Sequence, residues 1–184
     1  MTAEDLARLH AEAMEHGTAW SATAFESSLK EKGVFLVVAD RSGGDQPEAS
    51  IKTCHLDQKR PGAADTDGHP SMTSLGSSRG PSVALHGFLL GRTIGWETEL
   101  LTLAVAMSAR RRGLGHAILE AFEVEAQERG SKAAFLEVAD DNPAALALYH
   151  KTGWHQVGQR PGYYPRPAAD PANALILRKA LGQP

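Results

Sequence analysis

Three arginines and two glycines within residues 110–115 form the stretch of this sequence with the clearest chemical potential. The apolar run 99–105 before it predicts a buried strand, and apolar residues at helical spacing over 118–122 predict a helix after it. A strand that leads through a glycine loop into a helix directs several backbone N–H groups to one point, where the helix dipole adds positive character. The glycines remove Cβ atoms that would keep an anion from the backbone. The stretch therefore predicts a phosphate or pyrophosphate cradle, with an arginine-rich solvated helix cap as the alternative.

Glu137 is the second residue that invites a chemical explanation. It interrupts the apolar strand 133–138, where a carboxylate costs free energy unless it faces solvent or a partner. Tyr149 lies on an apolar helix face, where a tyrosine is normally a core residue with a satisfied hydroxyl. Neither residue type decides by itself between a structural and a catalytic role.

The elements that would position these residues follow from capping and periodicity. Thr2 and Asp5 form a capping-box pattern before one helix, and Ser21 precedes a second helix that ends near Gly33. Asn142, followed by proline, predicts the N-cap of another helix. Strands are predicted at 34–39, 85–90, 97–105, 133–138, 154–158 and 174–178, with the second and third forming an antiparallel pair that turns through 91–95. A strand–helix–strand crossover flanked by antiparallel strands predicts an α/β fold, a mixed and mostly antiparallel sheet with helices on both faces.

Residues 41–82 differ from the rest of the chain. They are rich in Gly, Ser, Pro and Asp and have no sustained period, apart from a short strand at 51–54. We expect 57–82 to be a flexible excursion on a hairpin tip within a single domain that spans 1–184. Histidine and aspartate residues in this region match no metal-ligand spacing, so no metal is predicted.

The composition bounds the cellular setting. With 184 residues the chain is long enough for a sizeable core, and a net charge of −3 argues against a nucleic-acid partner. The single cysteine, Cys54, fits a reducing compartment, and no apolar run approaches membrane-spanning length. The N-terminus lacks the pattern of a signal peptide. We therefore expect a cytoplasmic protein without a membrane partner.

The glycine loop and the segments around it resemble a known family. Arg110-x-x-Gly113-x-Gly115 after an apolar strand is similar to the coenzyme A loop of the GNAT N-acetyltransferases, whose pattern is Q/R-x-x-G-x-G/A. The run from Asn142 through Tyr149 to Gly153-Trp154 resembles the second half of the same core. More narrowly, the residues that resemble the RimI-type ribosomal-protein alanine N-acetyltransferases are Trp20, Leu136-Glu137-Val138 and Tyr163-Tyr164-Pro165. The resemblance covers about 1–40 and 83–180; the long 41–82 segment, Trp154 in place of Phe, and Asn173 in place of an acidic residue depart from it.

The resemblance implies a set of site residues. The cosubstrate would be acetyl-CoA, bound by Leu103, Ala104, Val105, Arg110, Arg111, Arg112, Gly113, Leu114, Gly115, His116 and Asn142. Glu137 would be the general base, acting directly or through water, and Tyr149 would protonate the leaving thiolate. Trp20, Tyr163 and Tyr164 would line the groove for the acceptor.

The implied activity is acetyl transfer to a protein N-terminal α-amine, with alanine at the N-terminus of a ribosomal protein as the favoured acceptor. An α-amine with a pKa of about 8 is partly neutral near pH 7.4, whereas lysine at about 10.4 is almost fully charged, so one glutamate suits the former better. A small amine or a lysine as acceptor is the alternative, and a coenzyme A-binding sensor without turnover is an alternative of another class. We expect a monomer or weak homodimer.

Overall fold

The computed structural model describes residues 1–14, 19–40, 50–55, 85–167 and 169–182. In chain order the helices and strands within these ranges are α1 (Ala3–Ala13), α2 (Ala22–Leu29), β1 (Val34–Asp40), β2 (Ser50–His55), β3 (Leu85–Ile94), β4 (Glu97–Val105), α3 (Leu114–Glu128), β5 (Ala133–Ala139), α4 (Pro143–Lys151), β6 (His155–Tyr164) and β7 (Ala172–Ala180).

The strands form one sheet in the order β2-β1-β3-β4-β5-β7-β6, and only the β4–β5 pair is parallel. Strand β1 is buried on both faces, because its alternate side chains enter different apolar clusters. Phe35 and Val37 pack with residues of α3 and α4, whereas Leu36 and Val38 pack with residues of α1 and α2. The predicted mixed sheet with helices on both faces is confirmed.

The helix starts follow the capping residues in the sequence. The Thr2 hydroxyl and the Asp5 carboxylate form the reciprocal capping box of α1. Ser21 caps α2 by accepting from the Ala24 N–H at 3.1 Å. These predictions are confirmed because a cap depends on residues only three positions apart.

The turn between β3 and β4 is shorter than predicted. Residues 91–93 belong to β3, and the chain reverses at Gly95 and Trp96. Gly91 serves packing rather than the turn, since a Cβ there would lie 2.7 Å from the Phe35 ring and 2.8 Å from the Phe122 ring. The closing strands β6 and β7 also extend further than the apolar runs that predicted them.

Strand β2 corrects the interpretation of the long polar segment. It pairs with the outer edge of β1, and its last residue, His55, lies opposite Phe35 at the start of β1. Strand β3 begins with Leu85 opposite Asp40 at the other end of β1. The interpretation of 57–82 as a hairpin tip is wrong, because the chain between β2 and β3 joins opposite ends of β1, about 17 Å apart along the strand. Apart from β2, the 41–82 segment lies outside the described residues.

Candidate active site

The N-terminus of α3 presents free backbone donors. Its N-cap, Gly113, has φ +81°, a left-handed conformation that glycine adopts without strain, and no side chain caps the helix. The first backbone bond of the helix runs from the Ala117 N–H to the Gly113 carbonyl at 3.1 Å; within the described residues the N–H groups of 114–116 find no acceptor. A Cβ on Gly113 would meet nothing within 4 Å. The backbone is therefore open to an anion on this side.

Gly115 has a different environment from Gly113. A Cβ on Gly115 would point inward and make ordinary contacts with Leu148 at 3.4 Å and Val105 at 3.8 Å. The absence of its side chain therefore does not clear a path for an anion, although its backbone N–H is among the free donors. This revises the physical reason for the glycine and leaves its backbone in the cradle.

The three arginines of the loop do not act alike. Arg110 is half-buried and braces the loop, because its guanidinium donates to the Ala13 carbonyl at 2.6 Å and to the Val105 carbonyl at 3.3 Å. Arg111 and Arg112 are exposed, and the backbone of Arg111 has φ +62°. The loop therefore offers its charge to a ligand through Arg111 and Arg112.

Strands β4 and β5 part in the middle of the sheet. Their pairing runs only from Glu97–Ala133 to Leu100–Leu136, although β4 stays paired with β3 as far as Val105. The register of β3 and β4 shifts so that Leu101 is an extra residue on β4, and such a bulge bends its strand. Beyond the bulge, the edge of β4 that faces β5 forms no ladder of backbone hydrogen bonds with β5. The predicted coenzyme strand, 103–105, lies on this edge.

Glu137 follows directly on the last β5 residue paired with β4. Its side chain is 25% exposed, and its Oε1 lies 3.0 Å from Nη2 of Arg160 on β6. The carboxylate therefore both reaches solvent and has a charged partner, which explains how an apolar strand accommodates it. Glu137 therefore lies where the gap between β4 and β5 begins.

Tyr149 on α4 is almost fully buried, and its ring lies 5.9 Å from that of Trp154. Its hydroxyl makes no hydrogen bond with any described residue. Burial raises the pKa of Tyr149, and the nearby Tyr164 raises it further. The phenol therefore keeps its proton at neutral pH and can donate it in a hydrogen bond.

Tyr163 and Tyr164 end β6, with ring centroids 5.1 Å apart in an edge-to-face arrangement. Burial raises the pKa of Tyr164, and the charge of Glu137 adds to this effect. Tyr164 in turn raises the pKa of Tyr149 through its charge. Tyr164 therefore lies near enough to both Glu137 and Tyr149 to interact with each of them electrostatically. Tyr163, 48% exposed, forms the outer part of this surface.

Other predicted residues lie around this group or apart from it. Asn142 caps α4 by accepting from the Ala145 N–H at 3.1 Å. His116 Nδ1 lies 3.1 Å from a carboxylate oxygen of Glu120 on the first turns of α3. Trp20 packs against the rings of His10 and Phe25, and within the described residues it makes no ring contact with the tyrosine pair.

Sequence reasoning missed two residues that border the tyrosine pair. Arg160 lies over the Tyr163 ring at 5.5 Å, and Arg166 lies over the Tyr164 ring at 5.8 Å. Arg166 also donates two hydrogen bonds of 2.7 Å to Asp141, which ties the end of β6 to the start of α4. No local pattern reveals the contact between Arg166 and Asp141, because 25 residues separate them in the sequence.

A buried histidine was also missed. His10 is 0% exposed; its Nδ1 accepts from the Trp20 N–H at 3.0 Å, and its Nε2 lies 3.0 Å from the Thr102 hydroxyl. Burial lowers the pKa of His10, so the ring is neutral. Its fixed position joins α1 to β4 next to the bulge.

The described residues contain neither a cluster of metal-ligand side chains nor a helix that could cross a membrane. No group of three or more His, Cys, Asp or Glu side chains is arranged to hold a metal ion within those residues. None of the helices in the described ranges has the length and apolarity needed to cross a membrane.

Comparison with known proteins agrees with this geometry. The profile of the Acetyltransferase (GNAT) family matches residues 53–154, which is more than half of the chain. The chain belongs to the GNAT family. The matched region of this GNAT chain includes β3, β4, the glycine loop, α3, β5 and α4.

Two curated relatives of the GNAT chain have names that state an activity. N-alpha-acetyltransferase RimI of Mycobacterium tuberculosis is 40% identical over 95 residues, which cover 52% of this chain and 56% of the relative. The [ribosomal protein bS18]-alanine N-acetyltransferase of Escherichia coli K12 is 41% identical over 69 residues, 38% of this chain and 47% of the relative. The GNAT chain thus spans about half the length of these relatives.

Solved structures share its fold. The ribosomal-protein-S18-alanine N-acetyltransferase from Escherichia coli superposes with a TM-score of 0.67 at 20% identity, covering 99% of this chain and 89% of that one. Ard1 from Thermoplasma volcanium gives a TM-score of 0.64 at 19% identity, covering 100% of this chain and 95% of that one. These similarities show that the GNAT fold extends over the whole described chain.

Proposed function

We propose that this protein transfers an acetyl group from acetyl-CoA to the α-amine of a protein N-terminus, with alanine of a ribosomal protein as the favoured acceptor. One observation carries the proposal: β4 and β5 separate directly before Glu137, and the gap leads toward the N-terminus of α3. Val105, near the end of β4, lies beside both Gly115 and Arg110, so the end of this strand contacts the loop that opens α3.

The residues present fit coenzyme A. Its pyrophosphate would accept from the free N–H groups of 114–116, with Arg111 and Arg112 as counter-charges. The unpaired edge of 103–105 offers backbone groups to the amide-containing pantetheine arm. An extended ligand with amides suits this edge because it can pair as a strand does.

The proposed chemistry assigns separate roles to the base and the acid. The thioester supplies the electrophilic carbonyl, and the acceptor amine must lose a proton to attack it. Glu137 takes that proton, because its carboxylate is partly exposed and lies next to the gap. Tyr149 donates its proton to the departing sulfur, because its hydroxyl is protonated at neutral pH and makes no hydrogen bond within the described residues. Neither step requires a covalent enzyme intermediate.

The names of the relatives support the choice of acceptor. Two of them are described as acting on an N-terminal amine, one of these on ribosomal protein bS18. The open surface formed by Tyr163 and Tyr164 next to Glu137 suits an extended chain end better than a small, enclosed amine.

The test is a mass-spectrometric assay with acetyl-CoA and three acceptors. These are an alanine-led peptide with a free N-terminus, the same peptide with a blocked N-terminus and an internal lysine, and a small primary amine. One added acetyl group on the free N-terminus, located by fragmentation, is the expected result. Modification only of the lysine or of the small amine would overturn the acceptor assignment. Binding of acetyl-CoA without turnover on any acceptor would favour a sensor.

A further inference from the structure

His10 and Thr102 form a buried polar contact between α1 and the strand that carries the proposed coenzyme edge. Nε2 of His10 lies 3.0 Å from the Thr102 hydroxyl, and the two residues are 0% and 8% exposed. Nδ1 of His10 accepts from the Trp20 N–H at 3.0 Å. Since Nδ1 is an acceptor, Nε2 carries the proton of the neutral ring and donates it to the Thr102 oxygen.

The direction of the Thr102 side chain depends on the bulge in β4. In a regular strand, residues two positions apart face the same side of the sheet. Leu100 packs into the apolar cluster on the side of α3 and α4, whereas Thr102 reaches His10 of α1 on the opposite side. The extra residue, Leu101, accounts for this reversal. A regular strand would therefore turn the hydroxyl away from His10.

The surroundings of His10 make the contact hard to replace. Within the described residues its ring neighbours are Trp20, Phe25 and Phe88, and none of these side chains has an acceptor for the Nε2 proton. A straightened β4 would leave a buried N–H without a partner, which costs more free energy than the bond contributes when it is made. The contact therefore stabilises the bulged form of β4, which parts from β5 after Leu100.

We infer that His10 is a positioning residue: through Thr102 it holds the bulge of β4 and so keeps the 103–105 edge open for the pantetheine arm of acetyl-CoA. This inference rests on the proposed function, because it takes that edge as the place of the arm. The Trp20 N–H fixes the ring tautomer that makes the contact possible. Loss of the contact should weaken binding of the arm and spare the pyrophosphate, which the N-terminus of α3 would hold separately.

The first test is Thr102→Val, which keeps the branched shape of the side chain and removes the hydroxyl. Acetyl-CoA and 3′-phospho-ADP, which is coenzyme A without its pantetheine arm, are titrated into the whole chain by calorimetry. The variant should bind acetyl-CoA about 2–10-fold more weakly, the loss expected for one amide hydrogen bond. Its affinity for 3′-phospho-ADP should equal that of the parent. Thr102→Ser, which keeps the hydroxyl, should bind both ligands as the parent does.

The second test separates the two hydrogen bonds of His10. The amide of a glutamine can take the place of Nε2, whereas the shorter asparagine reaches only as far as Nδ1. His10→Gln should therefore keep the Thr102 contact and the affinity of the parent for acetyl-CoA. His10→Asn should keep only the Trp20 contact and bind acetyl-CoA as weakly as Thr102→Val. Thr102→Val carries the test if a His10 variant does not fold.

Thr98→Val is the matched control. Thr98 is another buried threonine of β4, and its hydroxyl lies 2.7 Å from that of Ser131. It lies opposite Ala134, where β4 and β5 are still paired. This substitution also removes a buried hydrogen bond, but it should leave the affinities for both ligands unchanged. Melting curves of all variants show how much stability each one loses.

The two ligands distinguish positioning from a general loss of structure. Equal weakening of both ligands in Thr102→Val, or an unchanged affinity for acetyl-CoA, would overturn the inference. Affinities that follow the melting temperatures of the variants, instead of the contact that each variant retains, would also overturn it. Selective weakening of acetyl-CoA in Thr102→Val, together with a parent that acetylates no acceptor, would uphold the inference and overturn the proposed acetyl transfer.

Discussion

The two glycines of the loop should respond in opposite ways to the same substitution. In Gly113→Ala the residue must keep the left-handed conformation of the N-cap although it now carries a Cβ, which costs about 1–2 kcal/mol. A less flexible unfolded chain offsets about 0.4–1 kcal/mol of this cost. The net loss of about 1 kcal/mol corresponds to a melting temperature about 2–4 °C lower for a chain of this size. Gly115→Ala places alanine in a helix with contacts of 3.4 Å and 3.8 Å, so its melting temperature should stay equal or rise by about 1–3 °C.

Coenzyme affinity should separate the two variants further. The Cβ of the Gly113 variant enters open space at the N-cap of α3, whereas that of the Gly115 variant points toward Leu148. Loss of one charge-assisted backbone hydrogen bond costs about 1.5–3 kcal/mol, so Gly113→Ala should weaken acetyl-CoA binding by about 10–100-fold. Gly115→Ala should remain within about threefold of the parent, since ordinary van der Waals contacts cost little.

The assay is calorimetry with acetyl-CoA, with melting curves recorded on the same preparations. S-acetylpantetheine, which lacks the pyrophosphate, is the control ligand, and Gly113→Ala should not alter its performance as an acetyl donor. Equal losses of acetyl-CoA affinity in both variants would refute the distinction between the glycines. An unchanged affinity in Gly113→Ala would refute the cradle itself.

Four further predictions follow from the same structure. Glu137→Gln should reduce turnover by about 10²–10⁴-fold with little change in acetyl-CoA affinity, because it removes the base and keeps its shape; stopped-flow turnover near the parent rate would reject this role. Tyr149→Phe should retain the melting temperature and slow turnover, since it removes only a hydroxyl that makes no hydrogen bond within the described residues. A turnover rate equal to that of the parent would show that Tyr149 does not protonate the leaving thiolate. Folded His10 is neutral, so the unfolded state binds an extra proton below about pH 6.5 and stability should fall with pH there; melting curves of His10→Gln should lack that component. Replacement of 57–82 by a linker of about ten Gly and Ser residues should preserve melting temperature and coenzyme binding, because it still spans the roughly 17 Å between the strand ends; a clearly lower melting temperature would show that the replaced residues support the fold.

Much of the candidate site could be predicted because its features are local. The caps of α1, α2 and α4 depend on residues three positions apart. The strand, loop and helix around Gly113 follow from apolar periodicity and glycine, which act over a few residues. Glu137 could be singled out because a carboxylate in an apolar strand needs an explanation wherever that strand lies.

Only the tertiary structure decided which remote residues meet. The single extra residue at Leu101 separates β4 from β5, and it is visible only once β3 sets the register. Arg160 became the partner of Glu137 because β7, which lies between β5 and β6, sets the register of both strands, although 23 residues separate the two in the sequence. The inward direction of Gly115 depends on where α4 places Leu148. Sequence patterns report conformational preferences over a few residues, whereas cross-strand contacts depend on the registers of several strands at once.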